Sequence, residues 1–293
     1  MNILISGGSG NVGKVLIPLL QKAGHTCYTL TRRPKMENDL YWDPSQGKGE
    51  LSKDLIIDAV VHLAGYSVSN RWTEANKKEM IDSRLESTAL LKKMLIEKNP
   101  ERLIWVQASA IGIYQNLLDW QDESSAHGHG FLADLTASWE NTIADHPHHW
   151  RVTTLRIGVV MDKKSGALAA MLPAFRWGLG SALGSGKQWM SWIAIEDLAK
   201  MIQFAIEQPN IQGVYNAVAP HPIDNASFSQ TLCHALRRPF WLPNVPPFVL
   251  RLMFGEMSSM VLNSQRISAQ KIQSTGFEFQ YNKLSEYFQK IFS

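Results

Sequence analysis

Only two cysteines, Cys27 and Cys233, occur in the 293 residues, far apart and without CxxC spacing. That excludes a disulfide framework and a thiolate zinc site, and a reducing cytoplasm fits best. Long apolar runs are missing too. The first, Met1 to Ser6, is too short for a signal-peptide core and runs into glycines, and none later is long enough to span a membrane. Charge of one sign is scarce: the net charge is +3, with basic residues scattered among acidic ones, which argues against a nucleic-acid or membrane-surface partner. The nine histidines keep no metal-ligand spacing. His127, His129, His146, His148 and His149 fall in a polar stretch and read as solvated loop residues, so no metal is expected.

What is present is a 45% hydrophobic chain long enough to bury a sizeable core. Asn2 to Ser6 reads as a strand, Gly7 to Gly13 as a glycine-rich loop, and Val12 to Ala23 as a helix stopped by Gly24. Strands follow at Thr26 to Thr31 and at Leu55 to Leu63. A long helix is predicted from Thr73, a plausible N-cap, to Glu97, with Asn99-Pro100 as its stop. Arg102 to Ala108 and Arg151 to Val160 read as strands on either side of a helix over Phe131 to Ala144. This alternation predicts an α/β fold with a doubly wound, mostly parallel sheet. After Val160 the glycines Gly178, Gly180, Gly184 and Gly186 mark a loop-rich region, followed by a helix over Ile195 to Glu207 and a returning strand at Val214 to Val218. Helices at Asn225 to Arg237, Val249 to Leu262 and Lys283 to Phe292 complete the pattern. Residues 1–160 are thus expected to form a dinucleotide-binding core. Residues 161–293 form a mixed region that completes the sheet near 211–220 and builds a smaller C-terminal substrate lobe.

Ile3-Leu-Ile-Ser-Gly7-Gly-Ser-Gly10-Asn-Val-Gly13 lies between a strand and a helix, the context in which such glycines bind a dinucleotide. Gly7 makes the tight turn, Gly10 removes a Cβ where a pyrophosphate comes close, and Gly13 lets the helix pack on the strand. The helix start offers free N–H groups to the phosphates. At the end of the second strand an acidic residue would bind the ribose hydroxyls of NAD, but Thr31-Arg32-Arg33-Pro34 stands there instead. A hydroxyl and two guanidinium groups suit the 2′-phosphate of NADP(H). His62-Leu63-Ala64-Gly65 is expected to pass the cofactor with its backbone. His62, in a buried strand, reads as a hydrogen-bonded structural histidine ahead of an acid or base.

With these motifs the chain resembles the atypical short-chain dehydrogenases/reductases, the NAD-dependent epimerase/dehydratase-like "epimerase family" proteins. The likeness continues through Arg71-Trp72-Thr-Glu74, Ser109-Ala-Ile-Gly-Ile-Tyr114, Ser138-Trp139-Glu140 and Arg156-Ile-Gly158. It runs on through Leu172-Pro173, Trp192-Ile, Asp197-Leu198, Gly213-Val-Tyr-Asn216 and Gly276-Phe277. The resemblance implies a Rossmann-type domain of the extended, atypical kind. It also implies NADP(H) contacts from the glycine loop, with Ser9, Asn11 and Val12, and from Thr31, Arg32, Leu63, Ala64, Glu79, Arg84 and Val160. Arg84, on the long helix, either reaches a phosphate or ribose across the sheet edge or pairs with a neighbouring glutamate; Glu79 has the character of a solvated side chain. Tyr66 departs from the family, which often carries glutamate there. Homodimers through sheet-flanking helices are common in the superfamily.

The superfamily's oxidoreductases use Ser, Tyr and Lys, with Tyr and Lys four residues apart on a helix. Ser109 matches the Ser. Counting back from Glu140 puts Leu132 and Thr136 where Tyr and Lys belong, and no YxxxK occurs between Phe131 and Glu140. Leu exchanges no proton and Thr carries no charge. Tyr114 is the nearest substitute, either a proton donor or an aromatic wall of the pocket. Lys187 and Arg176 are either anchors for an anionic substrate or solvated, and Trp177, Trp189 and Trp192 either line a pocket or pack the core. The resulting expectation is an NADP(H)-dependent oxidoreductase or epimerase acting on a small carbonyl or hydroxyl compound such as a nucleotide sugar, with Ser109 and Tyr114 at the reacting centre. The alternative is an NADP(H)-binding sensor or scaffold without turnover.

Overall fold

A computed structural model describes residues 1–98 and 100–293. Its strands are β1 (Asn2–Ser6), β2 (Thr26–Thr31), β3 (Asp39–Asp43), β4 (Lys48–Gly49), β5 (Ala59–His62), β6 (Leu103–Ala110), β7 (Leu117–Gln121), β8 (Trp150–Ile157), β9 (Val159–Met161), β10 (Trp189–Met190), β11 (Trp192–Ala194), β12 (Gly213–Ala217), β13 (Ile223–Asp224) and β14 (Gln265–Ile267). Its α-helices are α1 (Asn11–Lys22), α2 (Glu74–Lys98), α3 (Phe131–Ala144), α4 (Gly166–Arg176), α5 (Ile195–Glu207), α6 (Asn225–Ala235), α7 (Pro247–Phe254), α8 (Ser259–Leu262), α9 (Gln270–Gln273) and α10 (Leu284–Phe292).

Eight strands form one sheet in the order β12-β8-β6-β5-β1-β2-β3-β4, parallel except for the β3–β4 pair. Strand alternation sorts its side chains onto two buried faces. Ile3 and Ile5 of β1 point to Leu16 and Leu20 of α1 and to Met201 and Ile202 of α5. Leu4 and Val60, one residue out of phase, meet Leu91 and Leu95 of α2 with Trp105 and Trp150. Each fully buried aliphatic side chain here contributes on the order of 2 kcal/mol. A third cluster joins Leu168, Leu172 and Phe175 of α4 to Phe228 and Leu232 of α6 and to Tyr287 and Phe288 of α10. Among the described residues no helix is long and apolar enough to cross a membrane.

The expected doubly wound parallel sheet is present, and β1, β2, α1 and α3 lie where the apolar periodicity puts them. Thr73 caps α2, its Oγ1 accepting from Asn76 N at 3.2 Å. Of the predicted helix stop, Asn99 lies outside the described residues. Other boundaries moved for local reasons. The strand expected over Leu55 to Leu63 holds only Ala59–His62. The run expected from Arg151 to Val160 breaks at Gly158, where a Cβ would come within 2.7 Å of the Ser191 carbonyl oxygen. The helix predicted from Val249 to Leu262 is interrupted at Gly255, whose φ of +58° ends α7. Strand β3, the edge strand β4 and helix α4 are additions to the predicted elements.

Candidate functional site

The order of the sheet reverses at β1: β2 and β3 run outward on one side, β5, β6, β8 and β12 on the other. Parallel strands bring their carboxyl ends to one edge, and the crevice at the reversal is where such sheets bind ligands. The loop after β1, the end of β2, the turn after β5, the end of β6 and the segment after β8 all reach that edge.

Gly7 turns with φ +72°, and a Cβ on it would lie 2.9 Å from the Leu63 carbonyl carbon, so β1 and β5 leave their ends in backbone contact. Gly13 abuts Gly8, with a would-be Cβ 2.4 Å from the Gly8 oxygen, which seats α1 directly on the loop. Ser9, Gly10 and Asn11 are exposed and Val12 is half-buried. No side chain caps α1, and no acidic residue sits in its first turn. Its N-terminal N–H groups therefore face outward with the helix dipole behind them, a ready cradle for phosphate oxygens.

At the end of β2, Thr31 Oγ1 accepts from Arg33 N at 3.2 Å, which turns the chain and leaves Arg32 and Arg33 exposed. Neither makes an ion pair among the described residues. The Asp39 carboxylate nearby in sequence accepts instead from Lys35 N and Met36 N.

Beneath the β5 turn His62 is fully buried in a complete network. Thr88 Oγ1 gives its proton to the Arg84 carbonyl at 2.7 Å and so accepts from His62 Nε2 at 3.0 Å and from Trp139 Nε1 at 3.0 Å. That assigns the proton to Nε2 and makes Nδ1 the acceptor for Ser6 Oγ at 2.5 Å. Ser6 Oγ in turn accepts from Leu63 N at 3.2 Å and Ala64 N at 3.3 Å. Burial, reinforced by the Arg84 charge, pushes His62 down to about 3, so the imidazole is neutral. Among the described residues the Arg84 guanidinium pairs with no glutamate. Its Nη1 donates to the carbonyls of Tyr66 at 2.9 Å and Met80 at 3.0 Å, and it stacks 5.1 Å from the Trp139 ring centroid beside Gly65. Burial pushes it down to about 10, which leaves it cationic at neutral pH. Glu79 is exposed on α2.

At the end of β6, Ser109 is 3% exposed and donates to Glu140 Oε1 at 2.5 Å. Arg156 holds both oxygens of the same carboxylate, Nε to Oε1 at 2.9 Å and Nη2 to Oε2 at 2.8 Å, and donates from Nη1 to Tyr114 Oη at 3.0 Å. Tyr114, also 3% exposed, gives its own proton to Asn216 Oδ1 at 2.7 Å. Asn216 N is bound by Glu123 Oε1 at 2.7 Å. Burial, only partly offset by Arg156, pushes the Tyr114 phenol up to about 12. On α3, Leu132 and Thr136 flank Gly112 of the turn after Ser109, their nearest atoms 3.4 and 3.9 Å from where a Gly112 Cβ would be. Thr136 Oγ1 donates to the Leu132 carbonyl at 2.7 Å.

Val160 is half-buried in β9, paired with Ile193 of β11. The residues weighed as substrate anchors separate: Arg176 and Lys187 are exposed and without an ion pair among the described residues. Trp192 is fully buried core with Nε1 donating to the His221 carbonyl, Trp177 is exposed, and Trp189 is half-buried. The sequence motifs include Glu140, Arg156 and Asn216 but give them no role in the site, and Glu123 lies outside those motifs. A signal existed for Arg156: a guanidinium inside the apolar run Val152 to Val160 must find a partner, and α3 offers one carboxylate on its inner face.

Residues 3–217 match the model of the NAD dependent epimerase/dehydratase family, and residues 245–291 match a domain of unknown function, DUF1731. Epimerase family protein Mb2239 of Mycobacterium bovis is 37% identical over 289 residues, covering 97% of this chain and 95% of that protein. The crystal structure of human epimerase family protein SDR39U1 (isoform 2) with NADPH is 34% identical, with a TM-score of 0.90 over 99% of each chain. The nucleoside-diphosphate sugar epimerase from Corynebacterium glutamicum is 28% identical, with a TM-score of 0.78 over 98% of this chain and 57% of its own. The chain belongs to the NAD dependent epimerase/dehydratase family.

Proposed function

We propose that this protein binds NADP(H) at the carboxyl edge of its sheet and uses it on a small oxygenated compound, of which a nucleotide sugar is one class. The observation that carries the cofactor is Arg32 beside Arg33, exposed at the end of β2 and without an ion pair among the described residues, next to the open N-terminus of α1. The pyrophosphate goes to Gly7, Ser9, Gly10, Asn11, Val12 and Gly13, the 2′-phosphate to Thr31 and Arg32. Leu63, Ala64 and Val160 line the crevice, with Glu79 and Arg84 at its α2 wall. The likeness to SDR39U1, crystallised with NADPH, supports this reading, and the Corynebacterium relative's name supports the substrate class. When bound, the nicotinamide supplies hydride transfer. Ser109, hydrogen-bonded to Glu140, is the hydroxyl nearest the reacting centre in this scheme, and Tyr114 forms its wall, because its proton is already committed to Asn216.

A second reading, an NADP(H)-binding sensor or scaffold, is favoured by one observation: α3 presents Leu132 and Thr136 beside Gly112, where an acid and a cation would be needed. Two measurements separate the possibilities. Titration with NADPH and NADH is expected to show NADPH preferred by wild type and the preference lost in Arg32→Ala; an undiminished preference would refute the 2′-phosphate assignment. Loss of NADPH absorbance over a panel of carbonyl compounds is expected in wild type and Tyr114→Phe but not in Ser109→Ala. Tight binding with no turnover of any compound establishes the second reading.

A further inference from the structure

Arg266 belongs to none of the groups above. It is the middle residue of β14, and its guanidinium carbon lies 4.4 Å from the centroid of the Trp120 ring and 4.2 Å from that of Trp189. The cation is therefore held by two indoles, Trp120 of β7, its register partner, and Trp189 of β10, each through a cation–π contact. The strand behind it is fixed on both sides. Gln265 Nε2 donates to the Ile111 carbonyl at 2.8 Å, Ile267 N donates to Ser191 Oγ at 2.8 Å, and the Ile267 side chain is fully buried.

Among the described residues this cation has no acceptor. Among the described residues no carboxylate lies within 4.0 Å of it, and its Nε is buried without a hydrogen-bond partner. Nη1 and Nη2 make no hydrogen bond to protein either, and unlike Nε they are not buried. A guanidinium donates only in its own plane. With Nε closed off, the donors left accessible are those of the Nη1/Nη2 edge, and Trp120 beside them is 51% exposed. Two parallel N–H donors on a permanent cation match the paired oxygens of a carboxylate or a phosphate. The stacking removes the rotamer freedom that a free arginine loses on binding, so the fork is preorganised.

We propose that Arg266, clamped between Trp120 and Trp189, is the recognition residue of an oxyanion site that takes the carboxylate or phosphate group of a small ligand. The site shares no residue with the glycine loop and needs no dinucleotide. Two probes distinguish the sources of the anion: inorganic phosphate and malonate, each titrated into the full chain at ionic strength held constant with sodium chloride, with tryptophan emission as the readout. Wild type is expected to give a saturable change with phosphate, with malonate or with both, phosphate alone assigning a phosphoryl group and malonate alone a carboxylate. Arg266→Met is expected to abolish the response. Arg266→Lys, which keeps the charge, the stem and the fold but loses the fork, is expected to weaken it at least tenfold. NADPH affinity is expected to be unchanged in both variants, so a failure here is distinguishable from a failure of the cofactor assignment. No saturable response of wild type to either anion, or an equal response in Arg266→Lys, would overturn the proposal.

Discussion

Arg156 grips both oxygens of Glu140 with the Nε/Nη2 edge of its guanidinium, at 2.9 and 2.8 Å, where the two side chains are only 5% and 14% exposed. Burial opposes the positive charge, but the bonds to Glu140 and Tyr114 outweigh it and hold the guanidinium well above its ordinary range. This pair joins β8 to α3 and carries Ser109 on one side and Tyr114 on the other, so the shape of the β6 end depends on it. Removing one partner strands a buried charge. Arg156→Met is expected to destabilise the fold by about 3–5 kcal/mol, and Arg156→Met with Glu140→Met by much less, as buried pairs replaced whole by apolar residues behave. Urea unfolding of the two single variants and the double variant completes the cycle; additive losses would show that the pair is not coupled.

Tyr114 sits at the far end of the same network. Tyr114→Phe leaves Asn216 Oδ1 without its donor and is expected to cost about 1–3 kcal/mol in urea unfolding. The phenol also makes a pH statement. Its folded value of about 12 exceeds its ordinary 10.0, so the unfolded chain loses this proton first as pH rises. The stability it supports is intact below pH 10.0 and is lost towards about 12. Burial holds Tyr281 and Tyr287 up as well, so alkaline spectrophotometric titration is expected to show a late-ionising group of tyrosines in wild type that is one tyrosine smaller in Tyr114→Phe.

His62 gives the opposite sign. Its folded value of about 3 lies below its ordinary 6.5, so the unfolded chain takes up a proton first as pH falls. The contribution is complete above pH 6.5 and is lost as pH drops towards about 3, with a slope of at most about 1.4 kcal/mol per pH unit. Urea unfolding at about pH 7 and about pH 5 is expected to show a larger loss in wild type than in His62→Gln, which has no titrating ring. A His62 ring resonance that titrates near neutrality would contradict the buried network of Ser6, Thr88 and Trp139.

What was legible in the sequence was whatever local spacing determines. Gly7, Gly10 and Gly13 between an apolar run and a helical pattern, and Thr31-Arg32-Arg33 after the next strand, place a loop and a charge without reference to distant residues. His62 as a structural histidine was legible from the apolar run around it. The partners were not. Arg84 was weighed against a glutamate because charge pairs are the visible option in a sequence, whereas its acceptors are the carbonyls of Tyr66 and Met80, which every residue owns. Tyr114 finds Asn216 from 102 positions away, a distance only the closed sheet removes. β3 was missed because a lone Leu40-Tyr41-Trp42 shows no alternation. Helix α4 was hidden by Gly166 at its start and Pro173 inside it.

The glycine loop allows the sharpest separation of binding from stability. A Cβ at Gly13 would lie 2.4 Å from the Gly8 oxygen and 2.6 Å from its Cα, both backbone atoms that cannot rotate away, so Gly13→Ala must push α1 off the loop. Overpacking of this kind costs about 1–3 kcal/mol, and it moves the N–H groups at the start of α1 that the phosphates would meet. NADPH affinity is expected to fall at least tenfold. Gly24→Ala is the matched control: it lies at the other end of α1, with φ +84° and nothing within 4 Å of a Cβ. It carries only the left-handed backbone penalty, about 1–2 kcal/mol. Thermal unfolding and NADPH titration of the two variants are therefore expected to agree on stability and diverge on affinity. If Gly13→Ala bound NADPH as wild type does, the dinucleotide would have to sit elsewhere than on the β1 loop.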